Sequence, residues 1–101
     1  MIDSASHTRR RTRVLLADDT ESIRALFEKL LTNEGHQVIS VEDGIAALDA
    51  VRRHRPDVIL LDVGMPGLDG IEVCRRLKSD PITRLTPVVL VTGLSDLSDR
   101  I

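Results

Sequence analysis

Three apolar runs along the chain lack the polar alternation of a half-buried strand: Arg13 to Ala17, Val58 to Leu61 and Pro87 to Thr92. Such runs predict strands covered on both faces, as in a parallel sheet. Gln37 to Val41 predicts a fourth, short strand. The stretches between them carry helical spacing. Thr20 to Glu34 places Ile23, Leu26, Phe27, Leu30 and Leu31 on the stripe that faces a core. Asp19 or Thr20 can cap its start, and Gly35 ends it. After a turn at Glu42-Asp43-Gly44, a second helix is predicted from Gly44 to Arg53, with Ile45, Leu48 and Val51 on one side. A third runs from Leu68 to Lys78, with Ile71, Cys74 and Leu77 inward. Ser79 to Arg84 reads as a loop, and Ser95 or Asp96 can cap a further helix. Strands alternating with helices predict an α/β fold with right-handed crossovers and a parallel sheet.

The strand ends carry the candidate chemistry. The first strand runs into Asp18-Asp19 and the central one into Asp62. Gly64, Pro66, Gly67 and Gly70 then break both periodicities, so Asp62 sits where strand gives way to loop. In open α/β sheets, ligands gather at the carboxyl ends of the strands. If the two strands are parallel neighbours, Asp18, Asp19 and Asp62 converge. Three carboxylates so placed repel one another unless a cation neutralises them. Oxygen-only ligands on rigid strand ends suit a hard divalent ion, and two carboxylates plus waters are typical of Mg²⁺. The last strand ends in Thr92-Gly93, a hydroxyl able to bind an anion beside a residue with no side chain. A metal, a nucleophilic carboxylate and an anion-binding hydroxyl together are equipment for forming an aspartyl phosphate.

Composition narrows the class. The chain has 101 residues, 42% of them hydrophobic, enough for one small domain. A single cysteine excludes an internal disulfide framework, and Cys74 reads as a small hydrophobe. No pair of histidines has zinc-ligand spacing with a cysteine. No apolar run is long enough to span a membrane, and no signal peptide is evident, so a cytoplasmic protein is expected. Phe27 is the only aromatic residue, which argues against stacking on single-stranded nucleic acid. The net charge of −2 hides an asymmetry. Residues 1–13 hold four arginines against Asp3, a local +3, which leaves −5 for the rest. Residues 1–12 read as a flexible basic leader ahead of a domain at 13–101, with no direct nucleic-acid binding expected.

With these residues in place, the chain resembles the CheY-like receiver domain of bacterial two-component response regulators. The resemblance rests on Asp18-Asp19, on Asp62 within Asp62-x-x-Met65-Pro66-x-x-Asp69-Gly70, and on Thr92-Gly93, in order and spacing from about Arg13 to Ile101. It implies a flavodoxin-like doubly wound sheet of strand order 2-1-3-4, with the family's fifth strand absent from this chain. It implies a phosphoacceptor role for Asp62, fed by a histidine kinase or phosphotransfer protein, and a switching role for Thr92. It implies Mg²⁺ held directly by Asp19, through water by Asp18, and by Asp62 and the Gly64 carbonyl. No dedicated substrate turnover is expected beyond the domain's own phosphorylation and dephosphorylation, and an output domain or effector is the downstream partner. The family's lysine at the end of strand five has no counterpart here, since Lys29 and Lys78 both fall in predicted helices. A fragment of a longer regulator is therefore expected, with the Pro87–Thr92 strand left as an edge through which two copies pair.

Three other readings compete for the same residues. A receiver-like module that only binds partners fits the missing lysine but not the intact acids. A phosphohydrolase of the haloacid dehalogenase type requires a second aspartate two residues after the first, where this chain has Gly64. A flavin module requires a phosphate loop after the first strand, and Asp18-Asp19 would repel that phosphate.

Overall fold

The computed structural model describes residues 11–91. Four strands, β1 (Arg13–Ala17), β2 (Gln37–Val41), β3 (Val58–Asp62) and β4 (Val88–Val91), alternate with three helices, α1 (Glu21–Asn33), α2 (Gly44–His54) and α3 (Gly70–Ser79). The strands form one parallel sheet in the order β2-β1-β3-β4. The predicted alternation and order hold. Thr92 and Gly93, the basic leader through residue 10, and the helix expected from Ser95 lie outside the described residues.

Period-two alternation sorts each strand between two faces. Leu15 and Ala17 of β1, with Ile59 and Leu61 of β3, point into the main core beneath α2 and α3. That core is completed by Ala47, Ala50 and Val51 of α2, Val73 and Leu77 of α3, and Met65 from the loop after β3. Val14 and Leu16, also buried, point to the opposite face, where the right-handed β1-α1-β2 crossover places α1. A core residue such as Leu61, with no exposed area, is worth about 2–5 kcal/mol against alanine.

The helix boundaries follow local chemistry. α1 ends in a Schellman motif: the Gly35 N–H donates to the Thr32 carbonyl at 2.9 Å and the His36 N–H to the Leu31 carbonyl at 3.1 Å. Gly35 meets the requirement for a left-handed residue there, with φ of 91°. α2 and α3 start at aspartate caps, Asp43 accepting from the Ala46 N–H at 2.7 Å and Asp69 from the Glu72 N–H at 2.9 Å. α3 therefore begins at Gly70, two residues after the predicted Leu68.

The inward faces of the helices differ in part from expectation. Ile45 is 64% exposed and Ile71 57%, although the spacing predicts both inside. An i, i+3, i+6 series drifts by about 60° per step around a helix of 3.6 residues per turn. Ile45 is thus carried away from Val51, and Ile71 away from Leu77. The faces that bury are Ala47, Ala50 and Val51 on α2 and Val73 with Leu77 on α3, while Leu48 and Cys74 pack at their margins. No residue of α1 is buried: Leu26 and Leu30 are about half exposed, because among the described residues α1 alone lies on that side of the sheet.

Candidate functional site

Parallel pairing brings the strand ends to one edge. β1 and β3 are neighbours, with Ala17 opposite Leu61, so Asp18 and Asp62 follow at adjacent positions. Carboxylate oxygens of Asp18, Asp19 and Asp62 all lie within 4.8 Å of one another. β4 delivers its end to the same place: Val91 is paired with Asp62, and the Val63 N–H donates to the Val91 carbonyl at 3.1 Å. Thr92, the predicted anion-binding hydroxyl, follows directly in sequence but lies outside the described residues.

The three acids occupy different environments. Asp18 is fully buried and Asp62 nearly so, whereas Asp19 is exposed. One Asp18 oxygen, Oδ1, accepts the Thr20 N–H at 2.8 Å. The other, Oδ2, is buried with no hydrogen-bond partner. Burial pushes the Asp18 carboxyl above its ordinary value of 3.8, and the charges of Asp62 and Asp19 push it further, against the Thr20 amide, which lowers it. A buried carboxylate with an unpartnered oxygen, clustered with two further acids, is a costly arrangement on its own. A hard cation is the ligand whose chemistry relieves it, and these oxygen donors fit one.

The loop after β3 shapes the rest of the site. Gly64 N–H donates to Asp62 Oδ1 at 3.2 Å, so this residue, predicted to offer its carbonyl, sits against the acceptor carboxylate. A Cβ at Gly64 would stand 3.9 Å from Asp62 Oδ1, an ordinary contact, so space does not demand glycine there. Gly70 is different. A Cβ there would meet the Asp62 carbonyl oxygen at 2.5 Å and Val63 Cα at 3.0 Å. The start of α3 can lie against the end of β3 only because that side chain is missing. Sequence reasoning placed Gly70 in a motif without this reason, and it did not single out Arg24, whose guanidinium bonds the Asp18 carbonyl.

The comparisons with known proteins agree with this geometry. The family model for the response regulator receiver domain matches residues 14–101. Response regulator PleD of Caulobacter vibrioides is 52% identical over 89 residues, covering 88% of this chain and 20% of that protein. The chain thus spans about a fifth of that relative's length. The receiver domain of sensor histidine kinase PA1611 from Pseudomonas aeruginosa, solved with a magnesium ion coordinated in its active-site cleft, aligns with a TM-score of 0.79 at 31% identity, over 90% of this chain and 75% of that one. The phosphorylated cyanobacterial phytochrome response regulator RcpA aligns with a TM-score of 0.78 at 32% identity, over 90% of this chain and 71% of that one. Strand order, clustered acids and a sequence match along nearly the whole chain make this protein a member of the response regulator receiver domain family.

Proposed function

We propose that this receiver domain accepts a phosphoryl group on Asp62 from a histidine kinase or phosphotransfer protein, with Mg²⁺ as cofactor. The observation that carries the reading is the buried, unpartnered Asp18 Oδ2 in a cluster with Asp19 and Asp62. Asp18, Asp19, Asp62 and the backbone carbonyl of Gly64 would hold the ion, with Asp19 in direct contact and Asp18 acting through water. When bound, Mg²⁺ supplies positive charge for the oxygens of the transferring group, the main catalytic aid that phosphoryl transfer requires. An Asp62 carboxylate oxygen attacks phosphorus and forms the acyl phosphate bond. The bond to the donor nitrogen or oxygen breaks, and its electron pair leaves with the donor group. Burial of Asp62 keeps bulk water from the nucleophile, and its Oδ1 is oriented by the Gly64 N–H. Thr92 is proposed to bind the phosphoryl oxygens and pass the change to a partner surface.

The test is intact-mass measurement after incubation with acetyl phosphate. Wild type with Mg²⁺ gains one phosphoryl group; Asp62→Asn does not, and chelation abolishes the gain. Equal labelling of both proteins, or labelling indifferent to chelator, overturns the reading.

The partner reading extends to an output domain or downstream effector and to a cytoplasmic setting. Among the described residues no helix is long and apolar enough to cross a membrane. A second copy at the β4 edge is also proposed. Val89 is 47% exposed and Leu90 41%, and among the described residues β4 pairs with β3 alone. Light scattering with size-exclusion chromatography decides it: a monomer at high micromolar concentration rules the pairing out.

A further inference from the structure

The turn between β1 and α1 carries two of the clustered acids, and one side chain from the helix braces it. Arg24 lies one turn into α1, yet its guanidinium reaches back, and Nη1 donates to the backbone carbonyl of Asp18 at 2.7 Å. Its main-chain N–H donates to the Thr20 carbonyl at 3.1 Å. The remaining bonds of the turn are the Asp18 N–H to the Val41 carbonyl at 3.1 Å and the Thr20 N–H to Asp18 Oδ1 at 2.8 Å. Arg24 therefore holds both ends of the Asp18–Thr20 turn, the strand end with its side chain and the helix end with its backbone.

Two observations set Arg24 apart from an ordinary surface arginine. First, α1 starts without a side-chain cap: Thr20 makes no such bond, while Asp43 and Asp69 each accept an N–H at the start of α2 and α3. The acids ahead of α1 are committed to the cluster instead of to capping, so the start of this helix is left to another anchor. Second, the guanidinium lies beside an acidic cluster but takes a carbonyl. Among the described residues, no ion pair joins Arg24 to Asp18 or Asp19. Arginine on a carboxylate commonly forms a bidentate pair. Here that pair would neutralise the charge a cation needs. On the carbonyl, Arg24 fixes the turn and leaves the carboxylates to the metal. Ordering this long side chain costs rotamer entropy, which a short, charge-assisted bond at 2.7 Å offsets.

The geometry points to Arg24 as a positioning residue for the cation site, holding Asp18 and Asp19 in place through the Asp18 carbonyl without touching the ion. The inference rests on the reading of Asp18, Asp19 and Asp62 as a Mg²⁺ and phosphoryl site. The bond is monodentate, so a lysine with one suitable donor can replace it, whereas methionine keeps the stem and the helix propensity but has no donor.

Magnesium affinity measured by calorimetry on the full chain tests it. Arg24→Met is expected to lose about tenfold, as removal of a partner behind a metal ligand does. Arg24→Lys is expected to recover most of that loss. In chelator, amide exchange at Thr20 speeds up in Arg24→Met and not in Arg24→Lys, a readout independent of both metal and phosphorylation. Urea unfolding in chelator checks the fold of each variant. If Arg24→Met does not unfold cooperatively, Arg24→Gln, too short to reach the carbonyl, takes its place with the same expectation. Wild type that binds no Mg²⁺ overturns the reading of the site itself. Wild type that binds Mg²⁺ beside a methionine or glutamine variant of equal affinity overturns the role of Arg24 alone, as does a lysine variant as weak as they are.

Discussion

Replacing Asp18 with asparagine is expected to stabilise the metal-free protein and to weaken its response to Mg²⁺. One carboxylate oxygen from each acid of the cluster lies within 4.8 Å of the other two. At that separation two like charges repel by about 1 kcal/mol in a water-like medium and by about 3.5 kcal/mol at an effective dielectric near 20. Asp19 is exposed and belongs near the lower figure; Asp62 is buried and belongs nearer the upper. The Asp18→Asn amide keeps the Oδ1 acceptor for the Thr20 N–H and puts a donor in place of the unpartnered Oδ2. A gain of about 1–3 kcal/mol follows, or about 4–8 °C in Tm for each kcal/mol in a domain of this size. The pH dependence has a definite sign. The folded-state pKa of Asp18 is raised, so the folded protein holds its proton more tightly than the unfolded chain. The contribution of Asp18 to the stability of the metal-free wild type therefore falls as pH rises from the ordinary value of 3.8 through the raised folded value, and adds no further slope above it. The difference between wild type and Asp18→Asn isolates this contribution from every other carboxyl. Urea unfolding from mildly acidic to neutral pH, in chelator and in excess Mg²⁺, is the assay. The variant is the more stable protein in chelator at neutral pH, and the order reverses in Mg²⁺, where wild type gains binding energy. An Asp18→Asn protein less stable than wild type in chelator would refute the reasoning, because it would show that the charge is satisfied without a cation.

Three further outcomes are expected. Asp19→Asn lowers Mg²⁺ affinity more than Asp18→Asn, since a ligand in direct contact loses a full charge interaction; equal losses in calorimetry contradict that order. Gly70→Ala drives a methyl group to 2.5 Å from the Asp62 carbonyl oxygen, lowering stability by about 1–3 kcal/mol and slowing acetyl phosphate labelling; an unchanged urea midpoint would show that α3 moves aside freely. Gly64→Asn has room for its Cβ, 3.9 Å from Asp62 Oδ1, and offers a group to orient water. It shortens the life of the phosphoryl group by up to about 10²-fold, read as the decay of the phosphorylated mass.

The sheet was legible because its signals are local: short, unbroken apolar runs bounded by loop formers mark strands covered on both faces. Each apolar run became a strand, and the strand order is the one that the family resemblance implies. The start of α2 at Gly44 was legible from the Glu42-Asp43-Gly44 turn, whereas that of α3 was not: Asp69 accepts the Glu72 N–H three residues ahead, so the helix begins at Gly70 and not at Leu68. Helix faces were less legible. An i, i+3, i+6 spacing puts Ile45 and Ile71 on the inward side, while the faces that bury are built partly from Ala47 and Ala50, small residues that a hydrophobicity pattern underweights. For α1 the stripe is present, but a pattern reports apolarity and not what covers it: Leu26 and Leu30 remain half exposed.

The site divides along the same line. Asp18, Asp19 and Asp62 could be grouped from sequence because a parallel sheet puts every strand's carboxyl end at one edge, so residues far apart in the chain share a place by topology alone. Nothing of that kind applies to Arg24. Whether a long side chain in the first turn of a helix points to solvent or folds back onto the preceding loop depends on where that loop's carbonyls face. Those directions are set by tertiary bonds, here the Asp18 N–H to the Val41 carbonyl on β2. Gly70 is similar, since its role exists only because β3 and α3 approach to within a methyl group of each other. The residues that do chemistry thus sit at positions the topology dictates, while the residues that hold them there are chosen by contacts between elements. The acids could be found by reading strand ends, but their supports only by following each backbone carbonyl near them to its donor.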